Sequence, residues 1–252
     1  MKFIDTHCHI HSIDYTIEPQ QAINNALSMG VNKLICVGCD ENDSELAIRF
    51  ASLHENIWAS VGLHPHDAKL GQEAFDKLAT LATMPKVVAI GECGLDYYYN
   101  HSGKEDQEKA LKYQMELALS NNLPMIFHVR DAFDDFWPIF DQYKGLKGVI
   151  HSFTSNTVHL TEALNRGLYI GLNGIMTFTK DNEQLNMATQ VPLDRLLLET
   201  DSPFLTPRPQ RGKVNEPKNI VLIAEFLADL RHQDLDEIGA SSTSNAKQLF
   251  GI

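Results

Sequence analysis

The chain has little of what would build an exported or membrane-bound protein. Its four cysteines, Cys8, Cys36, Cys39 and Cys93, are sparse for 252 residues and are expected as reduced thiols rather than a disulfide framework. No positively charged start leads into an apolar run with a cleavage site, and no apolar stretch approaches the ~18 residues of a membrane span. A cytoplasmic location without membrane association is therefore expected, and nothing calls for an obligate protein partner. Positive charge is also scarce, with 21 Lys and Arg against 33 Asp and Glu and a formal net charge of −12. That balance excludes a broad basic surface of the kind that holds duplex nucleic acid by counterion release. A polyanionic substrate would have to be handled locally. Low-complexity tracts, short repeats and Pro/Gly/Ser-rich linkers are absent too. One domain over residues 1–252 is the expectation, a length that a single α/β barrel fills.

What is present is an alternation of β-rich apolar runs and amphipathic stretches. The expected strands are 2–7, 33–38, 57–63, 87–93, 124–130, 148–153, 167–173 and 195–200. Helices are expected at 16–29, where Pro19 suits the first turn and Gly30 the C-terminal cap, and near 43–55, 72–82, 104–121, 132–143, 156–166, 180–190, 217–230 and 235–249. The helix at 104–121 has the clearest spacing, with Ala110, Leu111, Met115, Ala118 and Leu119 on one face. Ser102 and Glu105 resemble a capping box. Strands rich in Val, Ile and Leu, each followed by a helix, indicate a parallel sheet buried on both faces. Eight such units point to a closed (β/α)8 TIM barrel; a doubly wound open sheet shares the alternation.

On that frame the polar residues collect at the C-terminal ends of strands, the face where parallel barrels build their sites. His7 and His9 follow strand one, His64 strand three, Glu92 strand four, His128 strand five, His151 strand six and Asp201 strand eight. Period-two alternation turns His7 and His9 the same way and Cys8 the other. The same rule pairs His128 with Arg130, Glu92 with Gly94, and Glu199 with Asp201. A lone strand histidine is more often structural than a ligand. Four imidazoles and two carboxylates at one barrel mouth, however, would be costly to desolvate without a cation, so a metal centre is the economical explanation.

The ordered series DTHCHIH, GLHPH, GECGLDYYY, HVRDA, HSF and ETDSPFLTPRPQRGKVNEP, spanning residue 5 to about residue 217, resembles the TatD family of metal-dependent deoxyribonucleases. The resemblance implies a (β/α)8 barrel of the amidohydrolase-related kind with a two-metal hydrolytic site. It further implies that His7, His9 and Asp201 hold one ion, that His128 and His151 hold the second, and that Glu92 bridges them. Similar proteins usually have Cys after the sixth-strand histidine, where this chain has Ser152; alternation would turn that side chain away from His151.

Two cations suit hydrolysis at phosphorus, because they polarise the phosphoryl oxygen, lower the pKa of a water and stabilise the leaving oxygen. Asp201 is the candidate general base and, with Glu92, is expected to be catalytic. Glu199, two residues before Asp201, is a candidate for orienting a ligand from behind, with a core salt bridge as the alternative. Arg130 and His64 suit phosphate contact, whereas His66 equally fits a solvated loop. The proline-rich segment after Asp201 carries Arg208 and Arg211 with Lys213 and Lys218, a basic rim fitting one stretch of nucleic-acid backbone. Tyr97, Tyr98 and Tyr99 either stack on unpaired bases or pack a loop onto the barrel. Asp5 shares the face of His7 and His9 but sits deeper, a candidate supporting residue; Cys8 reads as packing and His11 as loop. Cys36 and Cys39 form C-x-x-C without a second such pair, so a packing role is expected.

The expectation is a phosphodiester hydrolase acting on DNA ends or single strands, since a deep barrel mouth admits a chain end more readily than duplex. The alternative is a binuclear amide, ester or lactone hydrolase, against which stand Glu92 in place of a bridging lysine and the basic loop. Retention of all six candidate ligands argues against a non-catalytic scaffold. Four imidazoles favour Zn, Mn, Fe or Co over Mg, whereas the resemblance implies Mg-supported activity; two divalent ions, Mg, Mn or Zn, are expected.

Overall fold

The computed structural model describes residues 2–252. Its eight strands are β1 (Phe3–Cys8), β2 (Val31–Val37), β3 (Ile57–Val61), β4 (Val87–Asp96), β5 (Met125–Arg130), β6 (Gly148–Ile150), β7 (Tyr169–Leu172) and β8 (Leu196–Leu198). The helices are α1 (Pro19–Ser28), α2 (Glu41–Ser52), α3 (Gln72–Leu81), α4 (Lys104–Asn121), α5 (Phe133–Phe140), α6 (Thr157–Asn165), α7 (Asn182–Gln190), α8 (Ile220–Arg231) and α9 (Leu235–Phe250). The strands form one sheet in the order β1 to β8. Pairing is parallel from β3 to β6 and between β7 and β8. Past β8 the chain returns to the end of β1 through a parallel bridge between Cys8 and Ser202. This is the expected (β/α)8 barrel. Among the described residues no helix is long and apolar enough to cross a membrane.

The chain divides into two compact units: a terminal unit made of the chain up to Ile35 with Ser152–Ile252, and a central unit, Cys36–His151. In the terminal unit, α9 packs on β1 and β8 through buried Ile238, Ala246, Leu249 and Phe250. Asn245 fastens it by donating to the carbonyls of Leu193 and Leu196 at 2.7 and 2.8 Å. Arg231 donates to the carbonyls of Ala188 and Val191 at 2.6 and 2.7 Å, satisfying the end of α7. Pro19 opens α1, and Gly30 follows it at φ 82°, as the sequence predicts.

In the central unit, Phe136 and Phe140 of α5 pack on Phe127 of β5, and Trp137 meets Phe133 and Phe136 along the same helix. The apolar face of α4 differs from the expected one: Leu119 is exposed, while Gln107 and Gln114 are fully buried. Both glutamines stand in for strand partners. Gln114 accepts from the Leu63 N–H at 2.8 Å and donates to its carbonyl at 3.0 Å; Gln107 does the same for Asp96 at 2.8 and 3.1 Å. Two backbone positions beyond or at the ends of β3 and β4 are thereby satisfied without a neighbouring strand. The expected capping box does not form either. Gly103 is the N-cap of α4, and Ser102 instead donates to the His66 carbonyl at 2.6 Å and accepts from the Lys69 N–H at 3.2 Å.

Candidate metal and catalytic site

The terminal unit gathers His7, His9 and Asp201. His7 Nε2 lies 3.1 Å from His9 Nε2, and Asp201 Oδ1 lies 3.3 Å from His9 Nε2 and 3.7 Å from His7 Nε2. One donor atom from each falls within a 4.8 Å sphere of separations, the reach of one cation. Only His7 belongs to a strand by hydrogen bonding, because β1 ends at Cys8 and β8 at Leu198. Asp201 is placed by backbone bonds instead: its N–H donates to the His7 carbonyl at 2.8 Å, and the His9 N–H donates to the Ser202 carbonyl at 2.7 Å. Its φ of 56° is left-handed backbone that aspartate tolerates better than most residues.

Behind this trio lies Asp5, fully buried. Its Oδ1 accepts from the N–H groups of Thr200 at 2.9 Å and His7 at 3.3 Å, and its Oδ2 from the Thr200 hydroxyl at 2.5 Å. Burial pushes its pKa up to about 8 against the opposing effect of these bonds. Glu199 is also buried and accepts from the Ser152 N–H at 2.6 Å and from Asn173 Nδ2 at 3.5 Å. Ser152 has φ 48° and lies past β6, so strand alternation does not govern it; its Oγ accepts from Asn173 Nδ2 at 2.9 Å. Arg208 is exposed, with its N–H on Thr177 Oγ1 at 2.9 Å. Arg211 lies over the Phe178 ring at 3.8 Å and donates to the Thr206 carbonyl at 3.1 Å.

In the central unit Glu92 is the hub. Its Oε1 lies 2.8 Å from His128 Nδ1, 3.0 Å from His151 Nε2 and 3.5 Å from His64 Nε2. Donor atoms of His64, Glu92 and His128 again fall within 4.8 Å of one another. Glu92 sits in a register irregularity of β4 against β5, between Ile90 and Cys93, a device that re-aims a side chain. Beyond it Gly94 is opposite His128, and a Cβ at Gly94 would enter the His128 carbonyl. Burial lowers the His64 pKa to about 4, leaving a neutral imidazole. Cys39 Sγ is 3.9 Å from Glu92 Oε2, so one cysteine of the C-x-x-C pair borders the hub. Cys93 is buried, with its thiol pushed up by burial.

Sequence reasoning missed Asp96. Its Oδ2 lies 3.0 Å from His128 Nε2 and 3.1 Å from His66 Nε2, and its Oδ1 accepts from the N–H groups of Tyr98 and Tyr99, both at 3.0 Å. Burial alone would raise its pKa, but the bonds from His128, Tyr99 and His66 hold it well below the usual carboxylate range. Burial likewise lowers the His128 pKa, yet the hydrogen bonds to Asp96 and Glu92 outweigh it and leave the pKa raised. A signal was present: residues 92, 94 and 96 share one face of a period-two strand. His66, given little weight in the sequence, is thus tied to the same carboxylate. Arg130 is exposed, its guanidinium over the rings of Tyr98 and Tyr99 at 4.1 and 4.7 Å.

The donor set of each unit, imidazoles with one carboxylate at close range, suits a divalent transition metal or zinc. The family model for TatD-related DNases matches residues 4–251. The chain is 36% identical to the metal-dependent hydrolase YabD of Bacillus subtilis, covering 98% of both chains. It is 33% identical to the 3'-5' ssDNA/RNA exonuclease TatD of Escherichia coli K12, again covering 98% of both. Among solved structures, the TatD homologue YJJV of Escherichia coli K12 superposes with a TM-score of 0.91 at 27% identity over 99% of this chain and 98% of that one. A TatD family hydrolase of Entamoeba histolytica gives 0.88 at 28% identity over 99% and 98%.

Proposed function

Because the chain belongs to the TatD-related DNase family, we propose that it removes nucleotides from the 3′ ends of single-stranded nucleic acid by metal-dependent hydrolysis of phosphodiester bonds. The observation carrying this reading is the clustering of His7, His9 and Asp201, with donor atoms within 4.8 Å of one another, and of His128 and His151 at 2.8 and 3.0 Å from Glu92, in a chain whose relatives include metal-dependent hydrolases and exonucleases. Two divalent ions are proposed, one held by His7, His9 and Asp201 and one by Glu92, His128 and His151. Bound there, they would supply Lewis acidity toward the phosphoryl and leaving oxygens.

The chain's own residues do the rest. Asp201 takes the proton of the attacking water; the Asp201 N–H bond to the His7 carbonyl, 2.8 Å, fixes where that carboxylate stands. Glu92 holds the imidazoles of His128 and His151 at 2.8 and 3.0 Å, so its carboxylate orients both. His64, neutral because burial lowers its pKa to about 4, is suited to donate one N–H to a phosphate oxygen without adding charge. Arg130, Arg208 and Arg211 are proposed as contacts to the strand's phosphates, and Glu199 as a support for the backbone at Ser152. Duplex is disfavoured by the net charge of −12.

The test is 5′-labelled single-stranded DNA and RNA, with duplex controls, incubated with Mg, Mn or Zn and with chelator. Stepwise shortening from the 3′ end, abolished by chelator and slowed about 100- to 10,000-fold in Asp201→Asn, is expected. Turnover of esters or lactones with no phosphodiester cleaved would replace this reading with the amidohydrolase-type one.

A further inference from the structure

Tyr97, Tyr98 and Tyr99 leave β4 together but have different fates. Tyr97 is half-buried, its N–H on the Arg130 carbonyl at 3.0 Å and its ring under Lys104 Nζ at 4.7 Å. Tyr98 and Tyr99 are 58% and 50% exposed, although their backbone is fixed. Both of their N–H groups donate to Asp96 Oδ1 at 3.0 Å. Their rings meet edge to face at 4.8 Å. Arg130 lies over both, and His101 is stacked on Tyr99 at 5.7 Å with an interplanar angle of 13°. Adjacent aromatic rings held exposed on a fixed backbone make a contiguous apolar patch of the kind that marks a binding surface.

We propose that Tyr98 and Tyr99, braced by Arg130 and His101, form a platform on which unpaired nucleobases of the substrate strand stack beside the bond to be cut. The proposal rests on the nuclease reading above and names how that site recognises its strand. Position supports it: the carboxylate that clamps the two tyrosines also lies 3.0 Å from His128 Nε2. One side chain therefore sets both the platform and a proposed metal ligand. Charge supports it as well. A chain of net charge −12 gains little from counterion release, whereas base stacking on an aromatic ring strengthens binding with little dependence on sequence or salt. Arg130 adds a single cation at the platform, suited to the phosphate next to a stacked base. A protein partner would want a broader apolar face than two rings with a guanidinium and imidazoles around them.

The experiment compares a single-stranded hexamer carrying 2-aminopurine near its 3′ end with the same hexamer made abasic at its two 3′-terminal positions. Binding to the metal-free protein is read by anisotropy and quenching, and KM and kcat are read with Mn present. The wild-type chain should bind the base-bearing hexamer at least about 10-fold more tightly than the abasic one and quench its fluorescence. In Tyr98→Ala/Tyr99→Ala that ratio should fall toward one, with the loss in KM rather than kcat. Tyr98→Phe/Tyr99→Phe should keep it, since the ring rather than the hydroxyl does the stacking. Equal affinity of the wild-type chain for both hexamers, a ratio that survives the double alanine change, or a double alanine change that alters only the sedimentation of the protein, overturns the platform while leaving the nuclease reading standing. Absence of both binding and cleavage for either hexamer overturns the two together.

Discussion

The two units assemble similar ligand types by different means. In the terminal unit His7, His9 and Asp201 stand 3.1 to 3.7 Å apart, and the buried carboxyl of Asp5 bonds to backbone and to the Thr200 hydroxyl rather than to an imidazole. In the central unit each nitrogen of His128 faces a carboxylate at 2.8 or 3.0 Å, and Asp96 is itself fastened by two N–H donors. The terminal trio is thus positioned chiefly by main chain, the central set chiefly by side chains that hold one another. A histidine whose far nitrogen is gripped by a carboxylate keeps its ring orientation and gains basicity, which strengthens its bond to a metal. The central set should therefore bind an ion more tightly than the terminal trio.

Removing the hub breaks that comparison most severely. Glu92→Gln takes away the acceptor that faces three imidazoles, and strand cleavage should fall at least about 1000-fold, with less than the wild-type equivalent of metal retained by elemental analysis. Asp96→Asn is the sharper probe. It should lower the affinity of the central set for Mn or Zn about 10- to 100-fold by calorimetry, while the terminal trio titrates as before. Equal loss at both sets would show that their supports are equivalent.

The same contrast explains what could be read from the residues alone. The order of strands and helices was legible because each strand is a short apolar run bounded by turn residues, and the ligand types stood out because they follow those runs. Strand ends were less legible. His9, His151 and Asp201 all lie past the last strand residue, where tertiary backbone bonds such as Asp201 N–H to the His7 carbonyl, and not period-two alternation, place them. Asp96 was hidden because β4 runs three residues further than its apolar core suggests. Gln107 and Gln114 were hidden because a buried polar side chain satisfied by backbone looks, in sequence, like a solvent-facing one. Leu119 shows the converse: helical spacing marks a face, and packing decides how far that face extends.

Glu199→Gln should have an intermediate effect that appears in stability before activity. Its Oε1 accepts the Ser152 N–H at 2.6 Å, a buried bond to the backbone, and weakening it should cost about 1–3 kcal/mol in denaturant unfolding. A variant as stable as the wild type but slow in cleavage would move Glu199 into the reaction itself.

The smallest change in metal binding is expected at Asp5, the terminal counterpart of Asp96. Among the described residues its carboxyl bonds to the Thr200 and His7 N–H groups and the Thr200 hydroxyl and to no imidazole, so Asp5→Asn should shift the metal affinity of the terminal trio by only about threefold or less, under about 1 kcal/mol, where Asp96→Asn shifts the central set about 10-fold or more. Its effect lies in pH dependence instead. Burial, against the opposing bonds from Thr200 and His7, raises the Asp5 pKa to about 8 from 3.8. Between about pH 4 and pH 8 the folded chain thus keeps a proton that the unfolded chain has released, and stability falls as pH rises through that window. Asparagine does not titrate, so the melting temperature of metal-free Asp5→Asn should decline less than that of the wild type from pH 5 to pH 8. Parallel declines would assign the slope to other groups, and a loss of metal affinity as large as that of Asp96→Asn would mean that Asp5 reaches the ligands through the His7 backbone, erasing the difference between main-chain and side-chain support.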